Sequence, residues 1–397
     1  MTNELIALGG AFVAAGLLAR LGGRIGLPTI PFFMAAGIIT GPRTPGLVLV
    51  SDEVQIELFA SVGLILLLFH LGLEFSLGDL TSGGTKLLRA GGSYLVLHMA
   101  GGLVLGFLMG WGTKESFVIA GVVGISSSAI VTKLLVELKR LANRETGMIL
   151  GIIVFQDVFM ALYLAMLQPI LRGAEGAGEM LFEFGRAFLF LIVLLAITRY
   201  GARYVGRMLD SEDDELLTVL FVGFAILIGG IAEEFGVSNA IGALMAGLLV
   251  AETSVAPRVE RLVLPLRDAF AAVFFFAFGL TIDPGEVSSV AVIVGIAVVA
   301  TIAMSVLAGI IGARVYGFGK RAAANAGLTL LGRGEFSLIL ATFAVAAGVD
   351  ARIAPFTALY VLVLAVLGPL LASESHLLAR ILPERLFERR ISAIEGM

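Results

Sequence analysis

Residues 148–167 read MILGIIVFQDVFMALYLAML, an apolar stretch whose single charged residue is Asp157. About 20 apolar residues in a helix cross the hydrocarbon core of a bilayer. A carboxylate at that depth costs roughly 2.5–3.5 kcal/mol and is tolerated where it faces a cavity or a binding partner. Two readings compete for Asp157. One is a buried, protonated acid hydrogen-bonded to a neighbouring helix. The other, favoured here, is a site for a proton or a cation.

The rest of the chain has the same character. Of its 397 residues 58% are hydrophobic and only 15% charged, against about 25% charged in soluble domains. Apolar runs recur along the whole length, so the expected fold is an all-α polytopic membrane protein. Cysteine is absent, which excludes disulfides and thiolate metal sites. His70, His98 and His376 are too scattered for a histidine metal centre. Residues 5–19 lack a basic leader and a small-residue cleavage signal, so they read as a helix and not as a signal peptide.

Thirteen transmembrane segments are expected, near 4–20, 28–41, 54–73, 86–110, 115–138, 145–169, 181–207, 214–234, 237–252, 259–281, 287–315, 320–347 and 353–380. With the N-terminus outside and the C-terminus cytoplasmic, 21 of the 27 Lys and Arg residues fall on the cytoplasmic side and five on the other. That bias supports the count and the orientation together. No Walker-type phosphate loop is present, so ATP is not the expected energy source, and no nucleic-acid partner is expected. No soluble domain is visible after Arg380.

Segments 1–6 can be matched to segments 8–13, with segment 7 as connector. The odd offset reverses direction, giving an inverted repeat. Segments 5 and 12 occupy corresponding places, and both are interrupted. Segment 5 runs Gly121-Val-Val-Gly-Ile-Ser126-Ser127-Ser128-Ala-Ile-Val-Thr132. Segment 12 runs Asn325-Ala-Gly-Leu-Thr329-Leu-Leu-Gly-Arg333-Gly-Glu335-Phe-Ser337. Glycines and hydroxyl residues let a membrane helix unwind where it lines a cavity, freeing carbonyls and half-helix ends as ligands. Arg333 and Glu335 lie in the second break. A structural salt bridge holding the break is the favoured role for Arg333. Two residues apart, the pair could meet only on unwound backbone. Thr132 and Thr329 are expected to support the crossing.

The expected site is therefore Asp157 with Gln156, Ser126, Ser127 and Ser128, holding one monovalent cation at Asp157. Hard cations take oxygen ligands. Removing a carboxylate from water penalises its charged form, so a proton and a cation compete for it. One carboxylate releases one proton per bound cation, which gives electroneutral 1:1 exchange. Glu74, Asp79, Glu233 and Glu234 read as ordinary interfacial charges, and His98 as a hydrogen-bonded core histidine. The triple serine could suggest an intramembrane hydrolase. No Gly-x-Ser-x-Gly elbow or placed base accompanies it, so no catalytic residue is expected.

At these residues the chain resembles the monovalent cation:proton antiporter superfamily, nearest to the Kef-type potassium:proton branch. The likeness rests on Phe155-Gln156-Asp157, Ile125-Ser126-Ser127-Ser128-Ala129-Ile130, Gly72-Leu73-Glu74, Gly334-Glu335-Phe336 and the stretch Ile241–Leu249. It implies a homodimer in the bilayer of a prokaryotic plasma membrane. Scaffold or dimerisation helices would lie at 1–80 and 214–281, and core ion-transport helices at 86–169 and 287–380. A linker helix would lie at 181–207 and a short tail at 381–397. It also implies elevator-type alternating access, with segments 5 and 12 crossing near Asp157. Electrogenic relatives carry a paired acid and a lysine in segment 11. Here Gln156 precedes Asp157, and Ser305 falls near the lysine position. Kef-type proteins also carry a C-terminal nucleotide-binding domain. Its absence implies a truncated chain, a separate cytosolic nucleotide-binding regulatory subunit, or no regulation. The expected function is K⁺/H⁺ antiport without a cofactor. A Na⁺/H⁺ antiporter of the same fold is the alternative, and a passive cation channel or uniporter the second alternative.

Overall fold

A computed structural model describes residues 4–24, 29–44, 48–50, 54–74, 84–172, 201–235 and 237–387, with single positions between 182 and 193. Segment 7 up to residue 200, Asp79 and the tail beyond 387 lie outside the described residues. The described chain is all-helical, without a strand. Its helices are α1 (Glu4–Arg24), α2 (Ile30–Thr40), α3 (Val54–Glu74), α4 (Gly84–Leu108), α5 (Thr113–Gly124), α6 (Ser128–Glu137) and α7 (Thr146–Arg172). After a helical stretch at 201–209 come α8 (Asp214–Glu234), α9 (Asn239–Ala251), α10 (Ala256–Leu280), α11 (Pro284–Tyr316), α12 (Lys320–Thr329), α13 (Glu335–Ala346), α14 (Ile353–Ser373) and α15 (Ser375–Ile381).

Among the described residues eight helices are long and apolar enough to cross a membrane, and three shorter apolar helices, α2, α9 and α13, accompany them. Local chemistry explains several boundaries. Asp283 caps α11 by accepting from the Gly285 N–H, with Pro284 in the first turn, where a missing N–H costs nothing. Gly317, at φ 76°, ends the same helix in the left-handed region open to glycine. Ser238 caps α9 through the Ala240 N–H. Segment 13 is shorter than expected: α14 stops at Ser373, and residues 375–381 form the separate α15.

Two packing groups recur. In one, α3 lies against α9 and α10, while α10 also packs on α2. In the other, α4, α5, α7, α11, α12, α13 and α14 surround the two breaks. Paired glycines bring backbones together in the first group. A Cβ on Gly72 would strike the Leu244 carbonyl and one on Gly247 the Phe69 carbonyl; Gly37 and Gly279 interlock in the same way through Phe276 and Met34. Small residues at such crossings are how membrane helices gain dispersion contacts without a hydrophobic drive.

Candidate ion-binding site

Segment 5 breaks between Gly124 and Ser128, where Ile125 and Ser127 take extended backbone angles. Ser127 then caps α6, its hydroxyl accepting from the Ile130 N–H at 3.4 Å. Segment 12 breaks between Thr329 and Glu335. The two breaks bond to each other: the Ser127 N–H donates to the Gly332 carbonyl at 2.8 Å. Unwinding leaves carbonyls without helical partners, and at this depth water does not replace them.

Arg333 answers that need. It is fully buried. One guanidinium nitrogen donates to the Leu330 and Leu331 carbonyls at 3.0 Å each, and the other to the Val123 carbonyl at 3.0 Å. It thus joins carbonyl ends of both broken helices with a fixed positive charge, matching the negative ends of α5 and α12. The expected salt bridge with Glu335 is not made. The backbone between them turns the guanidinium into the crossing, while Glu335, first residue of α13, faces the opposite way towards a cavity. Tyr94 completes the collar: its hydroxyl donates to the Leu330 carbonyl at 2.9 Å and lies 3.0 Å from the Ser126 hydroxyl.

None of the three serines hydrogen-bonds Asp157. Ser126 donates to the Leu330 carbonyl at 2.8 Å, Ser127 to Glu335 Oε2 at 2.9 Å and Ser128 to Glu335 Oε1 at 3.4 Å. The unwound turn lets Ser127 and Ser128 reach one carboxylate while Ser126 turns to the crossing, whereas a regular helix would separate consecutive side chains by about 100°. Thr329 is buried with its hydroxyl unpartnered, and Thr132 lines the cavity.

Asp157 sits mid-way along α7, only 4% exposed, and its Oδ1 has no hydrogen-bond partner. Gln156 is wholly buried on another side of the helix. Its Oε1 accepts from the Ser126 N–H at 3.0 Å, so it ties α7 to the first break. His98 has the partner that its sequence context did not disclose: one ring nitrogen lies 2.9 Å from the Ser305 hydroxyl, the other 2.9 Å from the Tyr94 carbonyl, and the ring stacks on Tyr94.

A cavity of about 660 Å³ opens between the two packing groups. His70, Glu74, Arg267 and Asp268 line it from α3 and α10, and Ser128, Thr132, Lys133 and Glu335 from the two breaks. Glu74 is therefore a wall of this cavity, not only an interfacial charge. Arg267 is engaged by Asp268 at 2.6 Å and by His70 at 3.0 Å. Asp157 does not line this cavity. A second, smaller cavity of about 310 Å³ lies further along the same groove, lined by Glu57, Ser61 and Leu64 of α3, Phe278 of α10 and Thr342 of α13. Leu67, Phe275, Phe336 and Ile339 line the first, so apolar side chains occupy the stretch between the two.

Residues 10–373 match the sodium/hydrogen exchanger, transmembrane, family. The chain is 39% identical to the K⁺/H⁺ antiporter subunit KhtU of Bacillus subtilis, over 96% of each chain. It is 30% identical to the ammonium/H⁺ antiporter subunit AmhT of Alkalihalophilus pseudofirmus, over 93% of this chain and 92% of that one. Its fold is similar to that of the sodium proton antiporter MjNhaP1 of Methanocaldococcus jannaschii. The TM-score is 0.72 at 15% identity, over 95% of this chain and 98% of the other.

Proposed function

This chain belongs to the sodium/hydrogen exchanger family, and on that premise we propose that it exchanges K⁺ for H⁺ across the cell membrane, one for one, with Asp157 carrying either. The observation that carries the reading is the buried Asp157 carboxylate, with one oxygen unpartnered, beside two broken helices. A buried polar atom left without a partner costs free energy, and a proton or a dehydrated cation supplies that partner. Only one can be bound at once, because the cation needs the charge that the proton removes. Gln156 adds no second acid, so one positive charge leaves for each that enters.

Alternating access is proposed to follow from the groove between the packing groups. Cavities lie at two places along it with apolar side chains between them. Movement of the group carrying the breaks past α3 and α10 would close one and open the other. The inverted repeat is supported by pairings across its axis: His98 bonds Ser305 and Ser128 bonds Glu335, each pair 207 residues apart. The glycine contacts follow the same rule, with Gly72 on Gly247 and Gly37 on Gly279 exchanging segments 3 and 9 for 10 and 2. Thirteen segments with the N-terminus outside, a homodimer formed by the scaffold group and an elevator movement are parts of the same proposal. Both bacterial relatives are antiporter subunits, and a separate cytosolic partner chain is part of the same proposal.

Potassium is favoured over sodium by the relative named for K⁺/H⁺ exchange at 39% identity. Liposomes with an internal pH dye test the reading. An acid-loaded lumen should become alkaline on adding K⁺ or Rb⁺, with little response to Na⁺ or Li⁺, and clamping the membrane voltage should not change the rate. Response to Na⁺ alone identifies the sodium alternative. Current without proton movement identifies a channel and overturns the exchange reading.

A further inference from the structure

We infer that Glu335, with the hydroxyls of Ser127 and Ser128, forms a second monovalent-cation site, a waiting position in the cavity from which the ion passes to Asp157. The inference rests on the exchange reading above and adds a site to it.

Three observations converge. First, Glu335 reaches the cavity and Asp157 does not. An ion entering from that side meets Glu335 before the buried acid. Second, the Glu335 carboxylate is built into an oxygen cluster. It accepts from Ser127 at 2.9 Å and from Ser128 at 3.4 Å, and no ion pair reaches it among the described residues. The cavity's other charges are otherwise arranged: Asp268 and His70 engage Arg267, Glu74 lies 3.7 Å from His70, and Lys133 lines the wall. A carboxylate has about four lone-pair sites, so two hydroxyl donors leave it room for a cation. Rotating either hydroxyl presents its own lone pairs to the same ion. Third, Asp157 Oδ1 is buried without a partner. An ion released from Glu335 thus has a buried carboxylate oxygen to go to.

The placement of Glu335 on α13 makes this a transfer device. It stands at the N-terminus of a half-helix, where backbone dipoles favour the carboxylate and oppose a cation. The site therefore binds weakly, as a waiting position must if the ion is to move on.

A role confined to tying α6 to α13 predicts something different, because glutamine also accepts hydrogen bonds from both serines. Glu335→Gln keeps that tie and removes the charge. In liposomes the KM for K⁺ should rise about tenfold, the low end for loss of a charged contact at a weak site, while kcat falls less than twofold. Glu335→Asp should recover part of the loss. Binding is read separately with Tl⁺ as a K⁺ surrogate, by anomalous scattering from crystals of full-length Asp157→Asn protein. A Tl⁺ peak at Glu335, lost in Asp157→Asn/Glu335→Gln, supports the site. No peak at Glu335, or an unchanged KM in Glu335→Gln, overturns it. Absence of cation-driven proton flux in the parent protein would overturn the exchange reading, while a Tl⁺ peak at Glu335 would still support the second site.

Discussion

The two broken helices do the same thing to the backbone with opposite side-chain chemistry. The break after α5 is neutral, with Ser126, Ser127 and Ser128 supplying hydroxyls. The break after α12 is charged, with Arg333 turned into the crossing and Glu335 turned out towards the cavity. The difference separates two tasks. A permanent charge is best spent where carbonyl dipoles need it at every stage, which is the crossing itself. The adaptable hydroxyls sit where a ligand comes and goes. Arg333 is suited to the first task because its planar head carries five donors and does not titrate.

The comparison is broken most severely by Arg333→Met. That variant keeps much of the volume and removes the donors, leaving the Leu331 and Val123 carbonyls unpaired, while Leu330 keeps the Tyr94 and Ser126 hydroxyls. Each orphaned buried acceptor costs about 1–3 kcal/mol, so the loss in a thermal-shift assay should correspond to roughly 2 kcal/mol or more, and exchange should be abolished. An Arg333→Met protein with unchanged melting would show that the crossing needs no fixed charge.

Ser127→Ala tests the other break and should do less. It removes the cap of α6, worth at most about 1 kcal/mol, and one donor to Glu335. Thermal stability should fall slightly, and the KM for K⁺ should rise about two- to threefold, a modest effect for one neutral hydroxyl. A loss of transport as complete as in Arg333→Met would mean that the two breaks are not divided in this way.

The smallest effect is expected from Ser305→Ala. It leaves one His98 nitrogen unpaired, away from the cavity. Stability should drop by about 1 kcal/mol, with KM and kcat within twofold of the parent. A large KM change would bring His98 into the ion path.

Much of the architecture was legible in the residues. Apolar runs announced the long helices, and Gly124, Gly332 and Gly334 among hydroxyls and charges announced the breaks. Asp157 stood out because nothing else between residues 148 and 167 is charged. Partnership across the fold was not legible. Spacing along one chain says which residues share a helix face, but an unwound turn discards that rule. Arg333 and Glu335, two apart, therefore face different surroundings, and Ser127 points to Glu335 instead of Asp157. His98 and Ser305 lie 207 residues apart; the inverted matching of segments 4 and 11 was the signal that could have joined them. Glu74 read as an end-of-helix charge because a cavity between packing groups leaves no mark in local sequence.

The central claim is that proton and cation trade places on Asp157. Asp157→Asn keeps the shape of the side chain and removes its charge. In liposomes at saturating K⁺, with folding verified by gel filtration and thermal shift, cation-driven proton flux should fall to the level of empty vesicles. Flux near that of the parent protein would contradict the account and place the exchanged proton on another residue.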